Sequence, residues 1–258
     1  MSIDLQTERG LDPAYMGLDP ADIGEDYPEI QRVSWEDHAA YMADNWKPGE
    51  HVGIISQTGG GKSFLFVHGL APLIEDEQVI AFDVKGDDPE LNTFTPRRIT
   101  QLPNRLQKRV HGDQPRSHFY HFMATRQSET RTLLDGCYRE GHMTLYLDET
   151  RALTDKTPGL GLAAQIDAIW MRGRSREVTL IAGTQAPRWV PASFYEQARH
   201  LYIGTLLDRR AQQRLEEIGG NSDAIKDTVS GLALYEFLYI GKLQEDGKRT
   251  MEIVKVPV

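Results

Sequence analysis

A glycine-rich segment carries the strongest chemical signal in the sequence. Residues 56–63 read S-Q-T-G-G-G-K-S, which fits the P-loop (Walker A) pattern except that Ser56 replaces its first glycine. In such a loop the backbone N–H groups form a nest for phosphate oxygens, Lys62 reaches the outer phosphates and the Ser63 hydroxyl is a ligand for Mg²⁺. We therefore predict a site for ATP and Mg²⁺. The predicted nucleotide-binding residues are Thr58, Gly59, Gly60, Gly61, Lys62 and Ser63.

Two adjacent acids follow an apolar run further along the chain. Residues 144–148 read T-L-Y-L-D, and Glu149 comes next. Together with a P-loop, this Walker B pattern predicts that Asp148 holds the Mg²⁺ shell and that Glu149 orients and polarises the attacking water. The alternative for Glu149 is an acid that stabilises the N-terminus of a helix. The pair favours hydrolysis over transfer of the phosphoryl group to a second substrate.

Alternating strand and helix signals indicate the fold that positions these residues. Strands are predicted at 51–56, 78–84, 117–123, 144–148, 178–183, 200–206, 232–241 and 249–256, and helices at 34–46, 63–74, 125–140, 160–172 and 208–218. This alternation with apolar strand runs predicts an α/β fold with a mainly parallel central sheet flanked by helices. The turn E-D-G-K between the last two strands predicts a C-terminal β-hairpin.

Charge divides the chain into two parts. Of its 258 residues, 26% are charged and 40% hydrophobic, which is ordinary globular composition. The net charge of -9 lies entirely in residues 1–50, which hold 12 acids and 3 bases. We predict a flexible acidic arm at 1–33 and a single P-loop domain at 34–258. The arm is either a solvated tail or an element that docks onto another subunit.

The sequence predicts a cytoplasmic protein. The one cysteine, Cys137, excludes an internal disulfide framework and is expected to be a buried small residue. No apolar run approaches the ~20 residues that span a bilayer. The first ten residues lack the basic and apolar regions of a signal peptide.

Four segments in a fixed order resemble the FtsK/HerA superfamily of ring-forming, DNA-translocating ATPases. They are the P-loop, residues 80–86 (I-A-F-D-V-K-G), the acids at 148–149, and residues 178–187 (V-T-L-I-A-G-T-Q-A-P). The resemblance covers residues 50–240 and implies a RecA/ASCE-like P-loop NTPase fold. It also implies ATP-driven movement of double-stranded DNA by a homo-oligomeric ring of about five or six subunits. Asp83 and Lys85, in the second segment, receive no catalytic role.

The same resemblance implies roles for two residues beyond the P-loop and the acids. Gln185 matches the polar sensor of the γ-phosphate. Arg174 matches the arginine finger that acts on the nucleotide of the neighbouring subunit, and a planar guanidinium suits the charge on a transferring phosphoryl group. Arg172 and Arg176 remain alternatives for the finger, and a solvated basic patch is the other interpretation. The predicted catalytic residues are thus Glu149, Lys62, Arg174 and Gln185.

DNA contacts are expected to go to phosphates, because a translocase must follow any sequence. Residues 97–116 are the densest basic run, with six Lys or Arg against one acid. The predicted contacts are Arg97, Arg98, Lys108, Arg109, Lys156 and Arg210, the last of which matches an arginine that can face DNA in the family. Each of them singly is equally well explained as solvated surface.

The resemblance is confined to the motor core, a layout closest to the minimal DNA-packaging ATPases of some viruses and phages. Genome packaging is therefore the leading hypothesis, with a portal or membrane pore protein as a further partner and the host cytoplasm as the location. Plasmid or conjugative DNA transfer is the first alternative. A nucleotide-dependent assembly switch without sustained translocation is the second, and a P-loop kinase is the third.

Overall fold

The computed structural model describes residues 30–74, 78–86, 88–94, 98–99, 119–215, 222–243 and 249–257. The strands are β1 (Gln31–Val33), β2 (His51–Ile55), β3 (Gln78–Asp83), β4 (Arg98–Ile99), β5 (Phe119–Met123), β6 (Met143–Leu147), β7 (Val178–Thr184), β8 (Ala198–Ile203), β9 (Glu236–Leu243) and β10 (Arg249–Lys255). The α-helices are α1 (Trp35–Asn45), α2 (Lys62–Phe64), α3 (Pro89–Phe94), α4 (Gln127–Glu140), α5 (Thr150–Thr154), α6 (Ala163–Arg172), α7 (Ala192–Gln197), α8 (Arg209–Leu215) and α9 (Ser222–Ser230).

The described strands form one sheet in the order β1-β10-β9-β8-β2-β7-β6-β3-β5-β4. Neighbouring strands are parallel except at β10–β9 and β9–β8. The predicted α/β fold, with its mainly parallel sheet and C-terminal hairpin, is confirmed. The E-D-G-K turn itself lies outside the described residues.

The centre of the sheet gathers the predicted chemistry at one edge. Strands β2, β7, β6 and β3 are parallel neighbours in that order. Their carboxyl ends therefore meet, and in open α/β sheets ligands bind at this edge. The segments that leave these four ends are residues 56–63, 185–186, 148–149 and 84–88.

Helices cover both faces of the sheet, and alternate residues along each strand point to opposite faces. On β3, Val79 and Ala81 pack into the core cluster that includes Met42 of α1. Ile80 and Phe82 pack into the opposite cluster, which includes residues of α4, α6 and α9. Because both faces are buried, the central strands are almost uniformly apolar.

The folded sheet begins before the predicted domain boundary. Residues 31–33, placed in the acidic arm, form β1 and pair in parallel with β10. Helix α1 then starts as predicted, because Ser34 caps it: its hydroxyl accepts a hydrogen bond from the backbone N–H of Asp37 at 3.1 Å. The remaining residues of the arm, 1–29, lie outside the described ranges.

The helix predicted at 63–74 is a composite. One α-helical turn (α2) continues as a π-helical segment, Leu65–Leu70, and ends in a 3-10 turn, Ala71–Leu73. A Cβ on Gly69 would lie 2.7 Å from the ring of Trp35, so α1 packs closely here because this position has no side chain. A π-helical turn directly after a ligand-binding loop is a common feature of functional sites.

Cys137 is buried in α4, as predicted, and burial raises the pKa of its thiol. None of the described helices is both long enough and apolar enough to cross a membrane.

Candidate active site

The P-loop follows β2 and is closed by contacts between its own residues. Gly59 and Gly61 have φ of +72° and +85°, which glycine adopts without strain. Ser56 is buried, and its hydroxyl donates to the carbonyl oxygen of Gly60 at 3.2 Å, which closes the loop. The serine that replaces the first glycine of the pattern thus has a role within the loop.

Lys62 points back over the loop. Its ammonium donates to the carbonyl oxygens of Ser56 at 3.1 Å and Gln57 at 3.4 Å. Burial lowers the pKa of Lys62, and the carboxylates of Glu149 and Asp148 oppose this shift. The cation and the open N–H groups of the loop together favour an anionic ligand.

Ser63 and Asp148 come together on the far side of the P-loop. The Ser63 hydroxyl lies 3.5 Å from Oδ1 of Asp148 and donates to Oδ2 of Asp88 at 2.8 Å. Burial raises the pKa of Asp148, while the ammonium of Lys85 counteracts it. Oδ2 of Asp148 is buried and accepts no well-formed hydrogen bond from any described residue. This set of hard oxygen donors fits Mg²⁺.

Glu149 faces the end of β7. Its Oε1 accepts from the Thr184 hydroxyl at 3.3 Å and its Oε2 from the backbone N–H of Gln185 at 3.2 Å. Burial raises the pKa of Glu149, and Lys62 acts in the opposite direction. Glu149 also occupies the N-cap position of α5 without a capping hydrogen bond from its side chain. The held carboxylate is suited to orient a water molecule.

The Gln185 side chain links β7 to the P-loop. Its Oε1 accepts a hydrogen bond from the Thr58 hydroxyl at 2.6 Å. Gln185 therefore contacts both the P-loop and, through its backbone, the Glu149 carboxylate.

Most of these groups line a cavity of about 230 Å³ at the carboxyl edge of the sheet, and Glu149 adjoins it through its hydrogen bond to the backbone of Gln185. Its walls include Thr58, Gly59, Gly61, Lys62, Ser63, Phe64, Lys85, Asp88, Pro89, Glu90, Asp148, Gln185 and Tyr235. The structure brings together the predicted residues of the P-loop, the two acids and the sensor.

Asp88 was not predicted from the sequence, and Lys85 was predicted without a function. Lys85 reaches Oδ2 of Asp148 at 3.2 Å, and Asp88 takes the Ser63 hydroxyl. The D-x-K-G pattern of residues 83–86 was the available signal for this loop. Tyr235 is a second addition: its ring stacks on Phe64 at 4.1 Å beside Gly61.

Arg174 lies at the other end of the sheet. It belongs to the 3-10 turn Gly173–Arg176, directly before β7, whereas Gln185 follows that strand. Seven strand residues span roughly 23 Å at about 3.3 Å each. Arg174 therefore does not reach the cavity of its own chain.

Only one of the three candidate fingers is unengaged. The guanidinium groups of Arg172 and Arg176 lie over the Tyr138 ring at 5.9 and 5.4 Å, and Arg176 also donates to the carbonyl oxygen of Arg139 at 3.1 Å. The exposed Arg174 side chain has no hydrogen bond, ion pair or ring contact with any described residue. Its guanidinium is therefore available to a second molecule.

The predicted DNA contacts are only partly described. Arg97, Lys108 and Arg109 lie outside the described residues, and Arg98 is in the edge strand β4. Lys156 is exposed after α5, and Arg210 is exposed in α8. The structure also shows a half-exposed Trp189 flanked by the guanidinium groups of Arg188 and Arg151 at 4.8 and 5.3 Å.

The fold and the cavity define a P-loop NTPase architecture, which several solved proteins share. The genome packaging NTPase B204 from Sulfolobus turreted icosahedral virus 2, in complex with AMPPCP, aligns with a TM-score of 0.62 at 18% identity, covering 82% of this chain and 100% of that one. VirB4 of Thermoanaerobacter pseudethanolicus aligns at 0.57 and 12% identity, covering 81% and 89%. The pCW3 conjugation coupling protein TcpA, with ATPγS, aligns at 0.55 and 15%, covering 81% and 61%.

These likenesses establish the fold, which is that of a P-loop NTPase. No protein-family model matches the sequence, and no curated protein matches it.

Proposed function

We propose that the protein is an ATPase that moves double-stranded DNA as a homo-oligomeric ring and packages a viral or phage genome. The observation that carries the proposal is the position of Arg174. The residues proposed to bind phosphate and metal lie at one edge of the sheet, and an unengaged arginine lies at the other. Such an arrangement supports a site that a neighbouring subunit completes.

Nucleotide binding falls to the P-loop. Its N–H groups and the start of α2 hold the phosphates, and Lys62 leaves the loop carbonyls to pair with the outer phosphate oxygens. The relatives with bound AMPPCP and ATPγS support a nucleotide in this position. Mg²⁺ would be held by Ser63 and Asp148, and when bound it neutralises charge on the phosphate oxygens.

Water activation falls to Glu149 and Gln185. Glu149 is held by the Thr184 hydroxyl and by the backbone N–H of Gln185, and these two hydrogen bonds orient its carboxylate. The Gln185 amide, now paired with Thr58, would turn to the γ-phosphate and the attacking water. Positioning of this kind contributes most of the rate enhancement in phosphoryl transfer.

Arg174 of one subunit would complete the site of the next. A guanidinium that approaches the γ-phosphate stabilises the charge of the transition state, and in other enzymes this is worth 10³–10⁵ in rate. Hydrolysis would then depend on assembly. Lys156 and Arg210 remain proposed DNA contacts, since both are exposed and a cationic side chain can contact phosphates without reading sequence.

The test is ATP hydrolysis with and without double-stranded DNA. We expect DNA to raise the turnover of the full chain, and we expect Glu149→Gln to lower it about 100-fold or more in both conditions. The matched control is Glu196→Gln, an exposed acid of α7, which should behave like the unmodified protein. Turnover that DNA leaves unchanged would contradict the motor and favour the nucleotide-dependent switch.

A conjugative or plasmid DNA-transfer ATPase is the second candidate. It is favoured by the likeness to the conjugation coupling protein TcpA and to VirB4. The likeness to B204 is greater in TM-score and covers all of that chain, which favours packaging. Binding of the purified protein to a portal or to a mating-pore component distinguishes the two.

A further inference from the structure

A second lysine contacts the predicted metal ligand. The Lys85 ammonium lies 3.2 Å from Oδ2 of Asp148. The Asp148 side chain is 1% exposed, whereas the Lys85 side chain is 47% exposed and lines the cavity. A buried carboxylate is costly unless cations compensate its charge, and Lys85 provides such compensation in addition to Lys62.

The loop that carries Lys85 is built to hold it there. Asp83 is fully buried at the end of β3, and its carboxylate accepts the backbone N–H groups of Lys85 at 2.8 Å, Gly86 at 2.8 Å and Asp88 at 3.4 Å. The buried His121 of β5 lies 3.1 Å from the same carboxylate. Gly86 has φ of +81°, which allows the chain to turn sharply after Lys85.

The same loop approaches the metal ligands from both sides. The Ser63 hydroxyl donates a hydrogen bond to Asp88 at 2.8 Å, while the Lys85 ammonium forms an ion pair with Asp148. Both predicted Mg²⁺ ligands are therefore engaged by residues that Asp83 positions through backbone hydrogen bonds. The anchored backbone and the half-exposed side chain allow the ammonium to move over a few ångströms without a change in the fold.

We propose that Lys85 is a tethered cation that shares Asp148 with Mg²⁺ and thereby sets how strongly nucleotide binding depends on the metal. The proposal rests on the proposed nucleotide site. Without Mg²⁺, the ammonium neutralises Asp148 and so reduces the repulsion between this carboxylate and the phosphates. With Mg²⁺ bound, Asp148 would serve as its ligand, and the Lys85 ammonium would then be available to a phosphate oxygen. Lys85 is thus a positioning residue for Asp148 and a second phosphate contact beside Lys62.

Removing the positive charge of Lys85 should change the affinity for nucleotide and the affinity for a divalent cation in opposite directions. A site that loses one positive charge attracts a metal-free triphosphate less, and it attracts a free divalent cation more. A role in folding alone would weaken both. The two affinities together therefore separate the proposed role from a structural one.

The experiment compares Lys85→Met with Lys85→Arg, which keeps the charge, and with Lys47→Met, an exposed lysine after α1. A fluorescent ATP analogue is titrated in EDTA and in Mg²⁺, and Mn²⁺ is titrated without nucleotide by electron paramagnetic resonance. For Lys85→Met we expect about tenfold weaker nucleotide binding in EDTA, a smaller loss in Mg²⁺, and tighter Mn²⁺ binding. Lys85→Arg and Lys47→Met should stay near the unmodified protein.

Weaker binding of both nucleotide and Mn²⁺ in Lys85→Met would overturn the proposal, and so would no change in either. Absence of nucleotide binding by the unmodified protein would instead contradict the proposed function. The Mn²⁺ titration would still report on Lys85 in that event, so the two failures are distinguishable.

Discussion

Ser56 replaces the first glycine of the P-loop pattern, and its surroundings explain why the replacement is compatible with the loop. The hydroxyl satisfies the carbonyl of Gly60, four residues ahead. Its side chain occupies space left by Gly204, where a Cβ would lie 2.5 Å from the serine oxygen. A larger residue at either position would displace the end of β2 or β8. The departure is thus a local repacking, with the rest of the loop geometry intact.

Gly61 offers the sharpest test of the loop at residue scale. Its φ of +85° costs an alanine roughly 1–2 kcal/mol, and a Cβ there would lie 2.7 Å from the ring of Tyr235. We expect Gly61→Ala to bind a fluorescent ATP analogue at least about tenfold more weakly. Gly231→Ala is the control, because a Cβ at Gly231 meets no atom closer than 3.7 Å. Equal affinity of the two variants would contradict the role of Gly61.

The sequence predicts those residues of the candidate site that belong to short contiguous motifs. The P-loop and the two acids after β6 form short contiguous patterns, so their residues were identified without the fold. Lys85 and Asp88 act across 63 and 25 residues of chain, on Asp148 and Ser63 respectively. Their role depends on the adjacency of β3 and β6, which no local pattern encodes.

At the scale of elements, His51 joins three of them at the amino edge of the sheet. The first residue of β2, it accepts the backbone N–H of Leu180 at Nδ1 (3.0 Å), and its Nε2–H donates to the carbonyl of Trp170 at 3.1 Å. Both bonds require the neutral ring with the proton on Nε2. Burial lowers the pKa of His51 to about 4. The imidazole therefore fastens α6 and β7 to β2 in its neutral form only.

This pairing predicts an acid-dependent loss of stability. The unfolded chain takes up the proton near pH 6.5 and the folded chain near pH 4, so the contribution is complete above 6.5 and is lost as pH falls toward 4. Its size is about 3 kcal/mol. We expect His51→Gln to be less stable at neutral pH in urea unfolding and to lose less between pH 6.5 and 4. Parallel pH profiles for the two proteins would contradict the assignment.

The elements that the sequence predicted are those whose burial leaves a recognisable apolar pattern. The continuous apolar runs of β2, β3, β6 and β7 and the periodic helix α4 are where the pattern placed them, because burial on both faces makes a strand uniformly apolar and burial on one face gives a helix a clear period. Strands β1 and β4 and the helices α3, α5, α7 and α9 were not predicted. Strand β1 is three residues long and is held by β10, more than 200 residues away.

At the scale of the whole molecule, the parallel sheet separates the cavity from Arg174, the residue proposed to complete it in a neighbouring subunit. The cavity lies beyond the carboxyl ends of β2, β7, β6 and β3, and the turn with Arg174 lies at the amino end of β7. Gly49 packs against that turn, since a Cβ there would lie 2.8 Å from Cα of Arg174. The turn therefore packs directly against the segment that leads into β2. Two copies arranged so that the carboxyl edge of one sheet faces the amino edge of the other would bring a cavity and Arg174 together.

Mixing inactive subunits tests this arrangement. Lys62→Ala lacks its own nucleotide site but keeps Arg174, and Arg174→Ala keeps its site but lacks the finger, so a wild-type interface forms only where the two meet. In an equal mixture, about a quarter of the interfaces of a closed ring are intact, and ATP hydrolysis should recover toward about that fraction.

The control mixes Lys62→Ala with Glu149→Gln: both residues serve the same nucleotide, so no interface is complete and no recovery is expected. Repetition with Arg172→Ala and Arg176→Ala, whose side chains are engaged with Tyr138, should show little dependence on mixing. Full activity of Arg174→Ala alone, or a mixture as inactive as the control, would show that this arginine does not act across a subunit interface.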